Sequence, residues 1–151
     1  MKHPFSVSLS FLIILVFGLS LSGCGGGGGG GGAVTSNLVS KSGTATLTSA
    51  DLDTEYHLSW KSVDFTATRS GRVEISMLRS GSSPVNDPYV RVCAYDSDPL
   101  DPIAYNDDIM SGILDSKCVF NAEVGKSYTV FFTTSGTYDY GTYSYSIKEV
   151  D

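Results

Sequence analysis

Histidine is almost missing from this chain: two occur in 151 residues, His3 and His57. A hydrolytic triad needs a histidine beside a nucleophile, and no Gly-x-Ser-x-Gly turn presents a serine to His57. Zinc fails on the same scarcity, because three cysteines and two histidines fall at no ligand spacing. Basic residues are few as well. Ten Lys and Arg stand against sixteen Asp and Glu, so a phosphate backbone is repelled and nucleic acid is not an expected partner. The apolar run at residues 11–21 is only eleven residues long, whereas a helix needs roughly 20 to cross a bilayer. Finally, no window repeats apolar residues at helical spacing, which argues against a helical domain.

What is present begins with an export pattern. Lys2 and His3 form a basic start, residues 11–21 an apolar stretch, and Ser22-Gly23 a small-residue cut site. A retained membrane anchor and an ordinary secreted protein cut near the same place are the alternatives to a lipoprotein signal. Leu21-Ser22-Gly23-Cys24 resembles the lipobox of bacterial lipoproteins. That resemblance implies removal of residues 1–23 and diacylglycerol on Cys24, with two or three acyl chains. Two or more chains hold stably at about 0.8 kcal/mol per buried methylene. Gly25, rather than aspartate, follows the cysteine. By resemblance to enterobacterial lipoproteins this implies the outer membrane or cell surface, with membrane contact through lipid on Cys24.

Eight glycines then fill residues 25–32. Glycine loses the most backbone entropy on ordering and has no side chain to bury, so this run is a tether; a flexible coil of that length reaches roughly 16 Å. The tether is expected to span 24–42, leaving 43–151 for one domain with one core. Losing Lys2 with the signal leaves nine basic against sixteen acidic residues. With Cys24 assigned to lipid, Cys93 and Cys118 remain as a pair in an oxidising compartment. A disulfide between them is expected, worth roughly 3–4 kcal/mol in the chain-entropy model. Alternation nonetheless sets Cys93 opposite Val90 and Val92, while Cys118 shares a face with Phe120.

From residue 43 onward the pattern is that of strands. Residues 63–67 put Val63, Phe65 and Ala67 on one face, residues 72–77 do so with Val73, Ile75 and Met77, and Arg69-Ser70-Gly71 between them reads as a hairpin turn. Further strands are expected at 45–48, 56–60, 88–95, 103–105, 117–122, 126–133 and 141–148, with a turn at Glu123-Val124-Gly125. Eight or nine short antiparallel strands in one domain need two packed sheets to cover their apolar faces. The expected fold is all-β, an antiparallel β-sandwich of jelly-roll type, with a closed barrel as the alternative.

The segments 87–92, Tyr95-Asp96, Asn106-Asp107-Asp108, 125–130 and 141–147 look like the successive signatures of bacterial pre-peptidase C-terminal domains. The resemblance spans roughly residues 56–150. It implies a jelly-roll sandwich similar to carbohydrate-binding modules, appended to secreted peptidases for attachment, with calcium in some members. No peptidase is attached here, so the fold and a general binding role are what the resemblance carries over.

Two constellations carry candidate chemistry. Asp96, Asp98, Asp101, Asp107 and Asp108, with the amide of Asn106, are free of intervening Lys or Arg, and a hard cation such as calcium would relieve their repulsion. The alternative is that Asp96, Asp98 and Asp107 cap turns through their own backbone. Tyr138 and Tyr140 with Asp139 form the second: exposed rings stack on sugars or apolar side chains, with Asp139 as acceptor, unless the rings merely pack. Trp60 is expected in the core. The functional expectation is a non-catalytic module adhering to polysaccharide or an envelope protein. A subunit of a surface assembly pairing through a sheet edge and, more distantly, a small hydrolase built on His57 are the alternatives.

Overall fold

The computed structural model of the protein describes residues 38–150; the expected signal peptide, Cys24 and the polyglycine run lie outside the described residues. The chain runs through β1 (Ser40–Leu47), a single 3-10 turn (Ser49–Asp51), β2 (Leu52–Asp53), β3 (Leu58–Ser59) and β4 (Lys61–Thr66). It continues through β5 (Gly71–Arg79), β6 (Pro88–Ala94), β7 (Ala104–Asn106), β8 (Ser116–Ala122), β9 (Ser127–Thr134) and β10 (Gly141–Val150). One four-stranded sheet has the order β1-β10-β5-β8, the other β4-β9-β6-β7, and β2-β3 form a small arm.

Every pairing within the two large sheets is antiparallel. The partners β1/β10, β4/β9, β5/β8 and β6/β7 are the rungs of one long hairpin rolled across two layers, which is a jelly roll. The expected fold class therefore stands. The expected hairpin of residues 63–67 with 72–77 does not, because β4 pairs with β9 while β5 pairs with β10 and β8. Both strands bury an alternating apolar face, but they lie in opposite sheets. The turn between them is a corner joining the layers.

Alternation fills that core. Val73, Ile75 and Met77 of β5 and Tyr143 and Ile147 of β10 meet Val90 and Val92 of β6 and Val130 and Phe132 of β9, all fully buried. Phe65, Phe120 and Tyr128 close one end with ring centroids 5.0–6.3 Å apart. The domain begins earlier than expected. Leu38 and Val39 are buried core residues, and Ser40–Ser42 belong to β1, so the segment assigned to the tether up to residue 42 is partly sandwich. Their apolar pair is the reason: Leu38 reaches over Gly71, where an added Cβ would meet its Cδ1 at 3.1 Å.

The expected Cys93–Cys118 bridge is not made, and both thiols are free. Cys118 lies on the inward face of β8 beside Phe120, whereas Cys93 lies on the outward face of β6 beneath the 95–103 loop. They therefore occupy different sheets and different faces. Burial pushes the Cys118 thiol up to about 12 and also raises that of Cys93, so neither is a ready thiolate.

Candidate binding surfaces

The acidic loop is built differently from its expected role. Asp98 accepts the Leu100 amide at 2.8 Å in an Asx turn, its carbonyl accepts the Asp101 amide at 3.0 Å, and Asp107 accepts the Asp108 amide at 3.0 Å. Asp96 takes the left-handed φ of 62° at the turn. The Asn106 amide donates to the carbonyls of Asp108 at 2.6 Å and Lys117 at 2.7 Å, fastening β7 to β8. Among the described residues no three His, Cys, Asp or Glu converge where a cation could sit, so the calcium constellation of Asp96, Asp98, Asp101, Asp107 and Asp108 does not form. The cause is β7. Its three residues, at about 3.3 Å each, hold Asp96, Asp98 and Asp101 at one end and Asp107 and Asp108 at the other.

His57 stands exposed in the turn between β2 and β3 at a φ of 55°, so the strand expected at 56–60 shrinks to Leu58–Ser59. Trp60 is not core either. It is half-buried on the outer side of the β4-β9-β6-β7 sheet, its ring 5.4 Å from Tyr56 and 5.5 Å from Phe131.

That outer face is the surface that sequence reasoning missed. Phe131 alternates with buried Val130 and Phe132 and sits between Ser62 of β4 and Arg91 of β6; Arg91 in turn sits opposite Tyr105 of β7. The Arg91 guanidinium lies 4.8 Å over the Tyr89 ring, and Tyr89 meets Tyr105 at 6.1 Å. A row of Tyr56, Trp60, Phe131, Arg91, Tyr89 and Tyr105 thus runs from the β2-β3 arm across β9, β6 and β7 on the side away from the core. Tyr105 is 63% exposed. Partial burial and the carboxylates of Asp98, Glu55 and Asp53 raise the Tyr56 phenol above its ordinary value, which keeps it protonated as a donor. The signal was available: Tyr89 and Arg91 alternate with Val90 and Val92, but a half-polar strand face reads as solvent-facing when its neighbours are unknown.

The 138–140 corner divides its roles. Tyr138 is 63% exposed at a left-handed φ of 62°, while Tyr140 is half-buried. Asp139 is already engaged: both its oxygens accept the Asn86 amide at 3.0–3.1 Å, Oδ1 accepts the Asn86 side chain at 3.0 Å, and Oδ2 accepts the Asp87 amide at 3.1 Å. It is a clamp between the 80–87 loop and the start of β10, not the ligand acceptor expected.

No protein-family profile matches the chain, and no curated protein matches it. Among solved structures, the 1.0 Å crystal structure of the pre-peptidase C-terminal domain of a collagenase from Bacillus anthracis superposes with a TM-score of 0.53 at 18% identity. The match covers 73% of this chain and 90% of that one. The likeness is one of fold. It agrees with the jelly-roll sandwich that the resemblance of residues 56–150 implies.

Proposed function

We propose that this protein is a lipid-anchored adhesion module of the bacterial outer membrane or cell surface. Cys24 carries the lipid, the glycine run spaces the domain from the headgroups, and the sandwich binds without catalysis. The observation that supports binding is the aromatic row of Tyr56, Trp60, Phe131, Tyr89 and Tyr105 on a sheet face that the core does not need. Aromatic side chains set in a rigid sheet give large contact area at little entropic cost, and amphipathic tyrosines suit a ligand that is partly polar, such as a polysaccharide. The reading without catalysis rests on His57, which is exposed in a turn rather than held in a cleft.

The test is a pull-down of envelope polysaccharide by the full-length protein and by the variant carrying Trp60→Ala, Tyr89→Ala and Tyr105→Ala. Capture reduced at least tenfold with an unchanged far-ultraviolet spectrum is expected; equal capture would remove the face from the reading. Mass spectrometry of the native protein checks the anchor separately, with an acylated Cys24 as N-terminus expected. A second reading, an envelope protein pairing with a sheet edge, is favoured by β1, an edge strand with six of eight residues exposed.

A further inference from the structure

At the far end of β1 from the tether, the chain forms a cleft of about 360 Å³ between the β1 terminus, the 80–87 loop and the start of β10. Its lining is uncharged and its open surface mostly apolar. Hydroxyl-bearing Thr46, Thr48, Ser49, Ser83 and Thr142 line it with Leu47 and Gly141, and Tyr140 is its only aromatic residue. No Lys, Arg, Asp or Glu lines it.

Backbone ties hold the walls. The Thr142 amide donates to the Ser83 carbonyl at 2.8 Å, and the amides of Ser80 and Val85 both donate to the Thr142 carbonyl at 3.3 Å. At Gly141, φ is 155° and an added Cβ would lie 2.5 Å from the backbone of Pro84 and Val85, so the loop and strand touch there without a side chain between them. The backbone at Tyr140 is therefore held from both sides, by the Asp139 clamp before it and the Gly141 crossing after it. The hydroxyls keep spare capacity. Thr46 and Thr142 share one proton between oxygens 3.1 Å apart, leaving a second proton and further lone pairs to offer, whereas the Thr48 hydroxyl is engaged with Asp51, to which it donates at 2.9 Å.

A half-buried ring on a fixed stretch of backbone, beside neutral donors and acceptors, matches a pyranose, whose apolar face stacks and whose rim hydrogen-bonds. The absence of cations in the lining selects against carboxylated or sulfated sugars. We propose that this cleft is a subsite for one neutral hexose of a polysaccharide, with Tyr140 as the stacking platform and Thr46, Thr142 and Ser83 reading the sugar hydroxyls. The inference rests on the polysaccharide reading above but assigns it a second contact, distinct from the aromatic sheet face.

Calorimetric titration of the full-length protein with cello-, malto-, manno- and laminarihexaose, and with an oligogalacturonate as the anionic counterpart, tests it. At least one neutral hexaose should bind and shift the threonine methyl resonances of Thr46 and Thr142, and the oligogalacturonate should not. Tyr140→Ala should weaken that binding at least tenfold, while Tyr140→Phe, which keeps the ring, should restore it within about twofold. Should Tyr140→Ala unfold the domain, the methyl shifts in the unmodified protein decide alone. Three results each overturn the subsite: no neutral hexaose binding, binding that shifts the Trp60 indole but not the two threonines, or equal binding after Tyr140→Ala. The second of these leaves the aromatic face standing, so the two readings fail separately.

Discussion

Single residues in this domain matter most where the backbone has no slack. At Gly141 any side chain meets the Pro84–Val85 backbone, and the positive φ adds strain. Gly141→Ala should therefore cost at least about 2 kcal/mol in urea unfolding, against about 1 kcal/mol for Gly112→Ala, where φ is 84° but nothing lies within 4 Å. Asp139→Ala should lose about 1.5–3 kcal/mol, because the charged acceptor of the Asn86 and Asp87 amides disappears while those donors stay in place. Glu74 gives the pH dependence. Partial burial raises its carboxyl, but hydrogen bonds from Lys148 and Lys117 outweigh that and hold it below its ordinary value. A depressed carboxylate stabilises the fold above its unfolded pKa of about 4.3, and the contribution is lost as pH falls through the folded value. Glu74→Gln should thus be less stable than the parent at pH 7, by under about 1 kcal/mol, with the gap closing in chemical denaturation series below pH 4.

At the scale of elements, β9 carries the sandwich: Val130 and Phe132 are fully buried on one side, while Thr129, Phe131 and Thr133 are covered or half-covered on the other. Phe132→Ala should lose about 3–5 kcal/mol by calorimetry, since its ring packs on Tyr143 at 5.8 Å and Tyr145 at 4.8 Å. The two thiols sit on β6 and β8 in different layers, so melting should be the same with and without reductant. Legibility in the sequence followed the strands. Alternation at Val63, Phe65 and Ala67, and at Val73, Ile75 and Met77, identified inward faces from local order alone, and the count of such segments implied two layers. Partners were not legible, because a jelly roll pairs β4 with β9 across some sixty residues of chain, and neighbouring strands in sequence lie in opposite sheets. The same blindness hid the aromatic row, whose members come from five separate segments. It also made five nearby aspartates look convergent when three residues of strand hold them apart.

For the whole molecule, the two large sheets present opposite outer faces. One bears the aromatic row; the other bears hydroxyls, with Ser42, Thr44 and Thr46 of β1 in register with Ser146, Ser144 and Thr142 of β10. The same register brings Ser40 beside Lys148 and Leu47 beside Gly141, so the chain enters the fold at one pole of this sheet and the Tyr140 cleft lies at the other. Eight residues of strand, about 25 Å, separate them. A pull between an anchored N-terminus and a ligand held at residue 140 runs along β1 and strains its eight pairs with β10 together. A pull between the two chain ends peels the same pairs one at a time. Single-molecule stretching with a handle at residue 140 should accordingly need more force to rupture β1 than stretching from N- to C-terminus. In the proposed anchored role, the rung that closes the roll would thus double as the shear joint through which drag on a bound ligand is borne.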